Sequence, residues 1–419
     1  MDHFTRRDGV LHAEDVPLTR IAEEVGTPVY VYSQATLARH ARVFREALAI
    51  LPDVHCAFAV KSNPNLAVLR VLRAEGFGAD VVSAGEMRRA LAAGMAAGDI
   101  VFSGVGKTDD ELAEALDAGI GQFNLESEEE GEALAKIAAA RGGKAQCALR
   151  VNPDVEAGTH EKISTGKAEN KFGVPYDRAA AIFDRLAARD GLAMRGLAVH
   201  IGSQLARLDP LEAAFARMGA LMEAIRAEGH GVTHMDLGGG VGVPYREGER
   251  FPSPQDYAAM VARVTKDWGV RLMFEPGRVI SGNSGVLVTR VVRVKQGVTH
   301  PFVVVDAAMN DLARPAMYDA WHDFVAVTDR GDTIVANIVG PICESSDTFA
   351  MARDIAAVET GDLAVFRTAG AYGATMANTY NSRPLVPEVL VSGDRYAVVA
   401  DRIEPAQILS AERVPDWLS

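Results

Sequence analysis

Cysteine is scarce in this sequence. The three cysteines, Cys56, Cys147 and Cys343, lie far apart, and no Cys-x-x-Cys pair occurs. This spacing excludes a disulfide framework and a zinc site, and it is typical of the reducing cytoplasm, where we expect the protein. The chain also lacks an uncharged apolar run of membrane-spanning length, and its first residues, MDHFTRRDGV, lack the apolar core of a signal peptide. We therefore expect no membrane segment and no metal.

Positive charge is scarce as well. The chain has 43 Lys and Arg residues against 56 Asp and Glu residues, a formal net charge of −13, and no basic stripe offsets this excess. The composition therefore excludes a nucleic-acid partner. With 419 residues, and with 48% of them hydrophobic, the chain is long enough for two domains or for one large barrel with an appendage.

Residues 27–277 alternate short apolar runs with amphipathic helical stretches. The candidate strands of this region are 57–61, 79–82, 100–103, 122–125, 146–151, 196–200, 234–237 and 271–275. Strands that alternate with helices in this way predict a closed parallel (β/α)8 barrel, with an open doubly wound sheet as the alternative. The open sheet would favour a G-x-G-x-x-G motif after its first strand, and the sequence has none there.

The pattern changes after residue 277. The candidate strands of this second region are 286–294, 302–306, 333–339, 363–367, 389–391 and 397–400. Gly-Asp pairs that are typical of hairpin turns separate several of them. We therefore predict an α/β protein in two parts: a barrel domain at 27–277, and a mostly antiparallel β domain formed by 278–419 together with 1–26.

The first candidate barrel strand ends at Lys61, in the run CAFAVKSNPN, and a polar turn follows at once. Because active sites of such barrels lie at the C-terminal ends of the strands, we expect this amine beside a ligand. A desolvated lysine there can lose its proton and form a Schiff base with a carbonyl cofactor. The alternative is a lysine that leaves the strand end for water.

Glycines follow the last two candidate barrel strands, in the sequences GGG (238–240) and EPGR (275–278). In such barrels phosphate often binds after the seventh and eighth strands. Without side chains, the backbone N–H groups of these glycines can reach phosphate oxygens. The sequence thus predicts a phosphate site at this corner, and a tight turn is the alternative for the glycines.

The sixth candidate strand ends in the sequence HIGSQ, which begins with His200. We expect His200 to face the same mouth as Lys61, with a purely structural hydrogen bond as the alternative, and Ser203 can donate to a phosphate. Glu275, at the end of the eighth strand, can meet the ring nitrogen of a pyridine and keep it protonated. A salt bridge between Glu275 and Arg278 is the alternative.

Taken together, these motifs resemble those of the fold-type III decarboxylases that depend on pyridoxal 5'-phosphate (PLP). The motifs are AVKSN (59–63), HIGSQ (200–204), GGG (238–240), EPGR (275–278) and CESSD (343–347). They occur in the family's order, and the resemblance covers nearly the whole chain. It implies a PLP-binding barrel like that of alanine racemase, followed by a β domain that completes the active site.

The resemblance also implies roles for individual residues. Lys61 is expected to hold PLP covalently, His200 to stack on its ring and Glu275 to pair with the ring nitrogen. Asp80 is expected to support Lys61, and Arg150 to lie beneath the ring. The other expected cofactor contacts, mainly with the phosphate, are Ser203, Gly239, Gly240, Gly277, Arg278 and Tyr372.

Within the family, the members that act on meso-diaminopimelate are the most similar. The segment MNDLARPAMY (309–318) resembles the one that binds the distal carboxylate of the substrate there, and ISTG (163–166) and ENKFG (169–173) fit as well. The expected reaction removes CO2 from the D-centre and gives L-lysine, the last step of lysine biosynthesis. The implied substrate contacts are Arg278, Arg314, Tyr318, Glu344 and Tyr372.

The resemblance further implies a homodimer in which Cys343 and Glu344 reach across the interface into the site of the partner. Cys343, or else Lys61, is expected to return a proton to the α-carbon of the substrate. Two other interpretations stay open: a relative that acts on D-ornithine, D-lysine, arginine or carboxynorspermidine, and a PLP-binding homologue without catalysis. Arg314 and Tyr318 count against the first, while Lys61, Cys343 and Glu344 count against the second.

Overall fold

The computed structural model describes residues 2–156 and 170–418. The segment 163–166, which resembles a segment of the family, lies outside the described residues, and so does Glu169 at the start of the segment 169–173. The chain divides into two compact units.

The barrel unit comprises Ala38–Pro244 and Glu249–Ile280. The β unit comprises Met1–Leu37, Tyr245–Gly248 and Ser281–Ser419. The domain boundaries expected from the sequence remain a prediction.

The described residues form strands in both units, and many of the strand residues are buried. In chain order they are β1 (Phe4–Arg7), β2 (Val10–Ala13), β3 (Val16–Pro17), β4 (Val29–Ser33), β5 (Val54–Ala59), β6 (Gly78–Val81), β7 (Ile100–Phe102), β8 (Gln122–Leu125), β9 (Ala145–Asn152), β10 (Val174–Pro175), β11 (Leu192–Ala198), β12 (His234–Asp236), β13 (Arg271–Phe274), β14 (Gly285–Lys295), β15 (Phe302–Val305), β16 (Phe324–Ala326), β17 (Thr333–Val339), β18 (Thr348–Ala356), β19 (Leu363–Phe366), β20 (Glu388–Ser392) and β21 (Arg395–Ala400).

The α-helices are concentrated in the barrel unit. In chain order they are α1 (Leu18–Glu24), α2 (Gln34–Leu48), α3 (Leu66–Ala74), α4 (Ala84–Ala92), α5 (Asp109–Ala118), α6 (Glu128–Ala140), α7 (Ala179–Ala187), α8 (Asp209–Ala227), α9 (Pro254–Thr265), α10 (Arg278–Ser281), α11 (Arg314–Tyr318) and α12 (Pro405–Leu409). Within 2–156 and 170–418, no helix has both the length and the apolar character needed to cross a lipid bilayer.

The barrel unit contains a ring of parallel strands in the order β5, β6, β7, β8, β9, β11, β12 and β13. The last strand pairs with the first, in a register that places Phe274 opposite Cys56, and β8 pairs with β9. The ring is therefore closed, which confirms the predicted (β/α)8 barrel and excludes the open sheet. Most residues of these strands are buried, because side chains fill the interior of such a barrel and helices cover its outer face.

The first barrel strand ends two residues earlier than the sequence predicted. β5 stops at Ala59, and Lys61 lies in a 3-10 turn, Val60–Ser62. The N–H of Asn63 closes this turn by donating to the carbonyl oxygen of Val60, 3.0 Å away. Lys61 therefore follows the strand at the C-terminal end of the barrel instead of belonging to the strand itself.

In the β unit, one sheet runs in the order β18, β17, β15, β14, β4, β20 and β21. Its neighbours are antiparallel except for the pairs β15 with β17 and β4 with β20, so the mostly antiparallel domain is confirmed. The sequence analysis did not find β4, β16 or β18. β4 is buried along its whole length and pairs with β14 on one side and β20 on the other.

The core of the β unit joins its N-terminal elements to this sheet. Phe4, Leu11 and Ile21 belong to one buried cluster with Val29 and Val288. The first residues of the chain therefore contribute to the packing of strands that lie far away in sequence.

Candidate active site

The amine of Lys61 forms an ion pair with Asp80 of β6. The side chain of Lys61 is 35% exposed, whereas Asp80 is completely buried. Carboxylate oxygen Oδ2 of Asp80 makes this ion pair, while Oδ1 is buried and has no hydrogen-bond partner among the described residues. A buried oxygen atom without a hydrogen-bond partner lowers the stability of the folded protein. A bound group that carries a positive charge or donates a hydrogen bond to Oδ1 would remove this cost.

His200 lies just after β11, and its ring is hydrogen-bonded to the glycine corner. The N–H of Gly239 donates to Nδ1 of His200 over 3.2 Å. Burial, followed by the positive charges of Arg150 and Lys61, holds the pKa of His200 well below its ordinary value. The imidazole is therefore neutral, and because Nδ1 accepts a hydrogen bond, its proton is on Nε2.

The glycines at the ends of β12 and β13 leave no room for side chains. A Cβ atom on Gly239 would lie 2.3 Å from the carbonyl oxygen of Glu275, and one on Gly240 would lie 2.6 Å from that of Gly202. A Cβ on Gly277 would come within 3.1 Å of the Cβ of Ala59. Gly240 also has a φ of +116°, which side-chain-bearing residues rarely adopt. The backbone is thus bare at the corner where the sequence predicted a phosphate.

Glu275 is buried directly after β13, within a network of polar side chains inside the barrel. Its Oε1 accepts hydrogen bonds from the hydroxyl of Ser103 and from the amide of Asn124, each with a donor–acceptor distance of 3.3 Å. Asn124 also donates to Asp236, 2.9 Å away. Burial first, and then the charges of Asp236 and Asp80, raise the pKa of Glu275 well above its ordinary value. Burial is also the main cause that raises the pKa of Asp236, and Asn124 donates to both carboxyl groups.

Sequence reasoning missed Ser103, Asn124 and Asp236. The available signal was a polar residue inside or just after a strand that is otherwise apolar, such as Asn124 in the sequence QFNL. Inside a filled parallel barrel such a residue must find polar partners, because an unsatisfied buried polar group is costly.

The remaining predicted cofactor residues of the barrel unit are held by their neighbours. The guanidinium of Arg278, which is buried, donates to Oγ of Ser203 over 3.2 Å. Arg150 donates to Glu126 over 2.6 Å, and its guanidinium lies over the ring of Phe172 at 4.9 Å from the centroid. Glu126 was another residue that the sequence analysis did not single out.

In the β unit, Arg314 is the first residue of α11 and Tyr318 is the last. Arg314 is buried at 6% exposure, whereas Tyr318 is partly exposed. Tyr372 has a φ of +54°, in the left-handed region that non-glycine residues seldom occupy. Such a conformation is often held at ligand-binding positions, where the surrounding structure fixes it.

Cys343 and Glu344 lie next to each other in an exposed loop of the β unit. Glu344 accepts hydrogen bonds from the hydroxyls of Tyr380 and Ser346, which lower the pKa of its carboxyl group. Asp347 closes the loop by accepting from the backbone N–H of Ile342 over 2.6 Å. The loop therefore presents a thiol and a carboxylate to the surface of the single chain.

The residues present in the barrel unit fit PLP. A lysine amine is held at the strand ends, a neutral imidazole is available for stacking, and the carboxyl group of Glu275 is available to a ring nitrogen. The bare glycine backbone suits a phosphate, and the partnerless oxygen of Asp80 suits a cationic neighbour.

Comparisons with known proteins agree with this chemistry. The family described as pyridoxal-dependent decarboxylase, pyridoxal binding domain, matches residues 34–282. Diaminopimelate decarboxylase of Zymomonas mobilis is 50% identical over 418 residues, which cover 99% of this chain and 99% of that protein. The crystal structure of diaminopimelate decarboxylase from Helicobacter pylori complexed with L-lysine is 36% identical, with a TM-score of 0.90, and the match covers 94% of this chain and 98% of that chain.

A second solved structure extends the match to the whole chain. Diaminopimelate decarboxylase from M. jannaschii, in co-complex with L-lysine, is 32% identical with a TM-score of 0.96, covering 100% of this chain and 99% of that chain. Identity of this order over the full length, on the same two-part fold, shows the family. The chain belongs to the diaminopimelate decarboxylases, a family of pyridoxal-dependent decarboxylases.

Proposed function

We propose that this protein decarboxylates the D-centre of meso-diaminopimelate, with PLP as cofactor, and releases L-lysine and CO2. The observation that carries the proposal is the ion pair of Lys61 with the buried Asp80 at the C-terminal end of the barrel strands. The full-length relative from Zymomonas mobilis, which carries the name of this activity, supports the same conclusion.

Lys61 is the residue proposed to attach the cofactor covalently, and Asp80 orients its amine. His200, a neutral imidazole, covers one face of the ring. Glu275 is proposed to lie at the ring nitrogen and to keep it protonated, and its fixed position after β13, with hydrogen bonds from Ser103 and Asn124, supports this role. Bound PLP supplies an electron sink for the electron pair that CO2 leaves behind. The phosphate is proposed to bind Ser203, Gly239, Gly240, Gly277 and Tyr372, with Arg278 beside Ser203.

Substrate selection is proposed to rest on charge. Arg314 and Arg278 bind the distal carboxylate through charge-assisted hydrogen bonds, and Tyr318 adds a hydroxyl. Glu344 accepts from the distal ammonium. A substrate without the second carboxylate would make none of these charge-assisted hydrogen bonds, and binding sites discriminate strongly against such a loss.

The proposed proton donor to the α-carbon is Cys343, with Lys61 as the other candidate. We further propose that the protein is a cytoplasmic homodimer in which Cys343 and Glu344 serve the site of the partner subunit. Their exposure in the single chain supports this arrangement, because a thiol and a carboxylate fixed at the surface are available to a second copy.

The proposal is tested by measuring CO2 release from meso-, LL- and DD-diaminopimelate and from D-lysine, D-ornithine and L-arginine. The meso compound should be the best substrate, and LL-diaminopimelate should give no CO2 because it has no D-centre. Comparable turnover of D-lysine or L-arginine would refute the proposed specificity. An enzyme that binds PLP but releases CO2 from none of these compounds would refute catalysis altogether.

A further inference from the structure

His322 is a buried residue of the β unit with two ring hydrogen bonds. Its exposure is 2%, and it follows α11 by four residues. Nη1 of Arg314 lies 2.7 Å from Nε2 of His322, and Nδ1 of the same ring lies 2.9 Å from the carbonyl oxygen of Arg367. Each ring nitrogen is therefore committed to a different partner.

These partners determine the tautomer of the ring. A carbonyl oxygen can only accept, so Nδ1 of His322 must carry a proton and donate to Arg367. A guanidinium can only donate, so Nε2 must offer a lone pair to Arg314. The ring is therefore a neutral imidazole with its proton on Nδ1.

A neutral partner has a consequence for the charge of Arg314. A carboxylate in the place of His322 would form an ion pair with the guanidinium and would compete with any carboxylate ligand. The imidazole accepts from one N–H of the buried guanidinium and brings no negative charge of its own. Such a contact orients the group and keeps its attraction for an anion.

Two further contacts fix this arrangement. The guanidinium of Arg314 lies over the ring of Tyr245, 4.5 Å from its centroid, and Tyr245 packs edge-on against His322 at 5.2 Å. Arg353 donates to the backbone carbonyl of His322 over 2.6 Å. The imidazole is thus held through its ring and through its backbone, and Arg314 is held between an imidazole and a phenol ring.

We propose that His322 is the positioning residue of the carboxylate clamp, which is formed by Arg314 with Arg278, and that it holds Arg314 as a neutral acceptor without adding a competing negative charge. The inference rests on the proposed function, since it requires that Arg314 binds a carboxylate. It predicts that loss of the Nε2 contact weakens ligands with a carboxylate at that position and spares those without one.

Two substitutions separate the two hydrogen bonds of the ring. In His322→Asn the amide is too short to reach Arg314 but can still donate to Arg367. In His322→Gln the side-chain oxygen reaches the position of Nε2 and can again accept from Arg314. The probes are L-lysine, which keeps the distal carboxylate after decarboxylation, and cadaverine, the diamine that lacks it.

Binding is measured on the PLP-loaded protein by the change in cofactor absorbance and by calorimetry. His322→Asn should weaken L-lysine by roughly 10- to 100-fold, the loss expected for one hydrogen bond to a charged group. Cadaverine should change less than about twofold, and His322→Gln should recover most of the L-lysine affinity. In turnover, His322→Asn should raise KM for meso-diaminopimelate more than it lowers kcat.

The outcomes are distinguishable. If the unsubstituted protein binds L-lysine no better than cadaverine, no carboxylate clamp exists, and both the proposed specificity and the role of His322 fail. If the unsubstituted protein discriminates and His322→Asn discriminates equally, the clamp stands and the role of His322 is refuted. Should His322→Asn fail to fold, nitrogen NMR of the unsubstituted protein decides, with His322→Gln assigning the signal: a proton on Nε2 of His322 overturns the inference.

Discussion

The barrel unit and the β unit hold their candidate site residues by different means. In the barrel unit, Lys61, Asp80, His200 and Glu275 lie in parallel strands or directly after them, and most of their partners are buried side chains of the same barrel. In the β unit, Arg314 begins a five-residue helix, and Cys343 lies in an exposed loop. The barrel fixes the chemistry shared by a whole family, whereas loops and short helices vary more readily and suit substrate selection.

The largest expected effect falls on the barrel unit. Lys61→Ala should remove the covalent attachment of PLP and lower kcat/KM by about 10⁴-fold or more, as expected for loss of a covalent catalyst. The visible absorbance of the purified protein and mass spectrometry after borohydride reduction check the result. The exposed Lys136→Ala is the control and should keep both the cofactor and the activity.

A borohydride-reduced adduct on another lysine would contradict the assignment of Lys61. It would also contradict the view that the barrel unit holds the chemical groups of the reaction, because the amine that follows β5 would then not bind the cofactor.

A smaller but still large effect is expected in the β unit. Arg314→Ala should lower kcat/KM for meso-diaminopimelate by about 10²–10⁴-fold, through loss of one or two charge-assisted hydrogen bonds. Arg314→Lys should also be harmful, because it keeps the charge but loses the planar fork. The cofactor absorbance should stay unchanged in both variants, which separates substrate binding from cofactor binding.

Near-native kcat/KM in Arg314→Ala would show that the two units do not divide the work as proposed. The substrate would then be sought among amino acids without a second carboxylate.

A third experiment asks whether the β unit serves its own chain or a second copy. Lys61→Ala and Cys343→Ala chains should each be inactive, and mixing them under conditions of subunit exchange should restore about a quarter of the activity, if Cys343 acts across a C2 dimer with independent sites. Exchange is verified with differently tagged chains. Absence of recovery despite proven exchange would mean that each chain builds its own site.

The barrel could be predicted from the sequence because its signals are local. Each apolar run such as 122–125 is followed by an amphipathic helix, and the alternation repeats until the ring closes. β4 escaped prediction because its partners, β14 and β20, lie hundreds of residues away and bury every one of its side chains. Because both faces of β4 are buried, its sequence, VYVYS, lacks the clear alternation of apolar and polar residues that would mark a strand with one exposed face.

The candidate site shows the same limit. Motifs identified Lys61 and Glu275, because residues at strand ends are adjacent to recognisable turns. The polar partners of Glu275 come from other strands: Asp236 lies on the neighbouring β12, and Asn124 lies on β8, which only closure of the barrel brings to Glu275. The proposed role of His322 likewise depends on its hydrogen bond with Arg314, and the spacing of the two residues in the sequence does not predict that bond.

The smallest expected effect concerns stability and again falls on the β unit. Burial raises the pKa of Asp311 from its ordinary value of 3.8 to about 7, although the N–H of Ala308 donates to its carboxylate over 2.8 Å. Between about pH 4 and pH 7 the folded protein therefore keeps a proton that the unfolded chain has lost. The free energy of unfolding must fall as pH rises through this window.

Asp311→Asn removes this titration and leaves a neutral side chain of similar shape. A difference of one pKa unit corresponds to about 1.4 kcal/mol, and one kcal/mol shifts the melting temperature of a unit of this size by about 2–4 °C. About three such units give about 4 kcal/mol, so between pH 4 and pH 8 the melting temperature of the unsubstituted protein should fall relative to that of the variant by on the order of 10 °C. Near pH 4 the aspartic acid is protonated in the folded state, so the two proteins differ only by the exchange of a carboxylic acid for an amide. Calorimetric scans across this range check the prediction, and a gap that does not change with pH would show that Asp311 is already ionised in the folded protein.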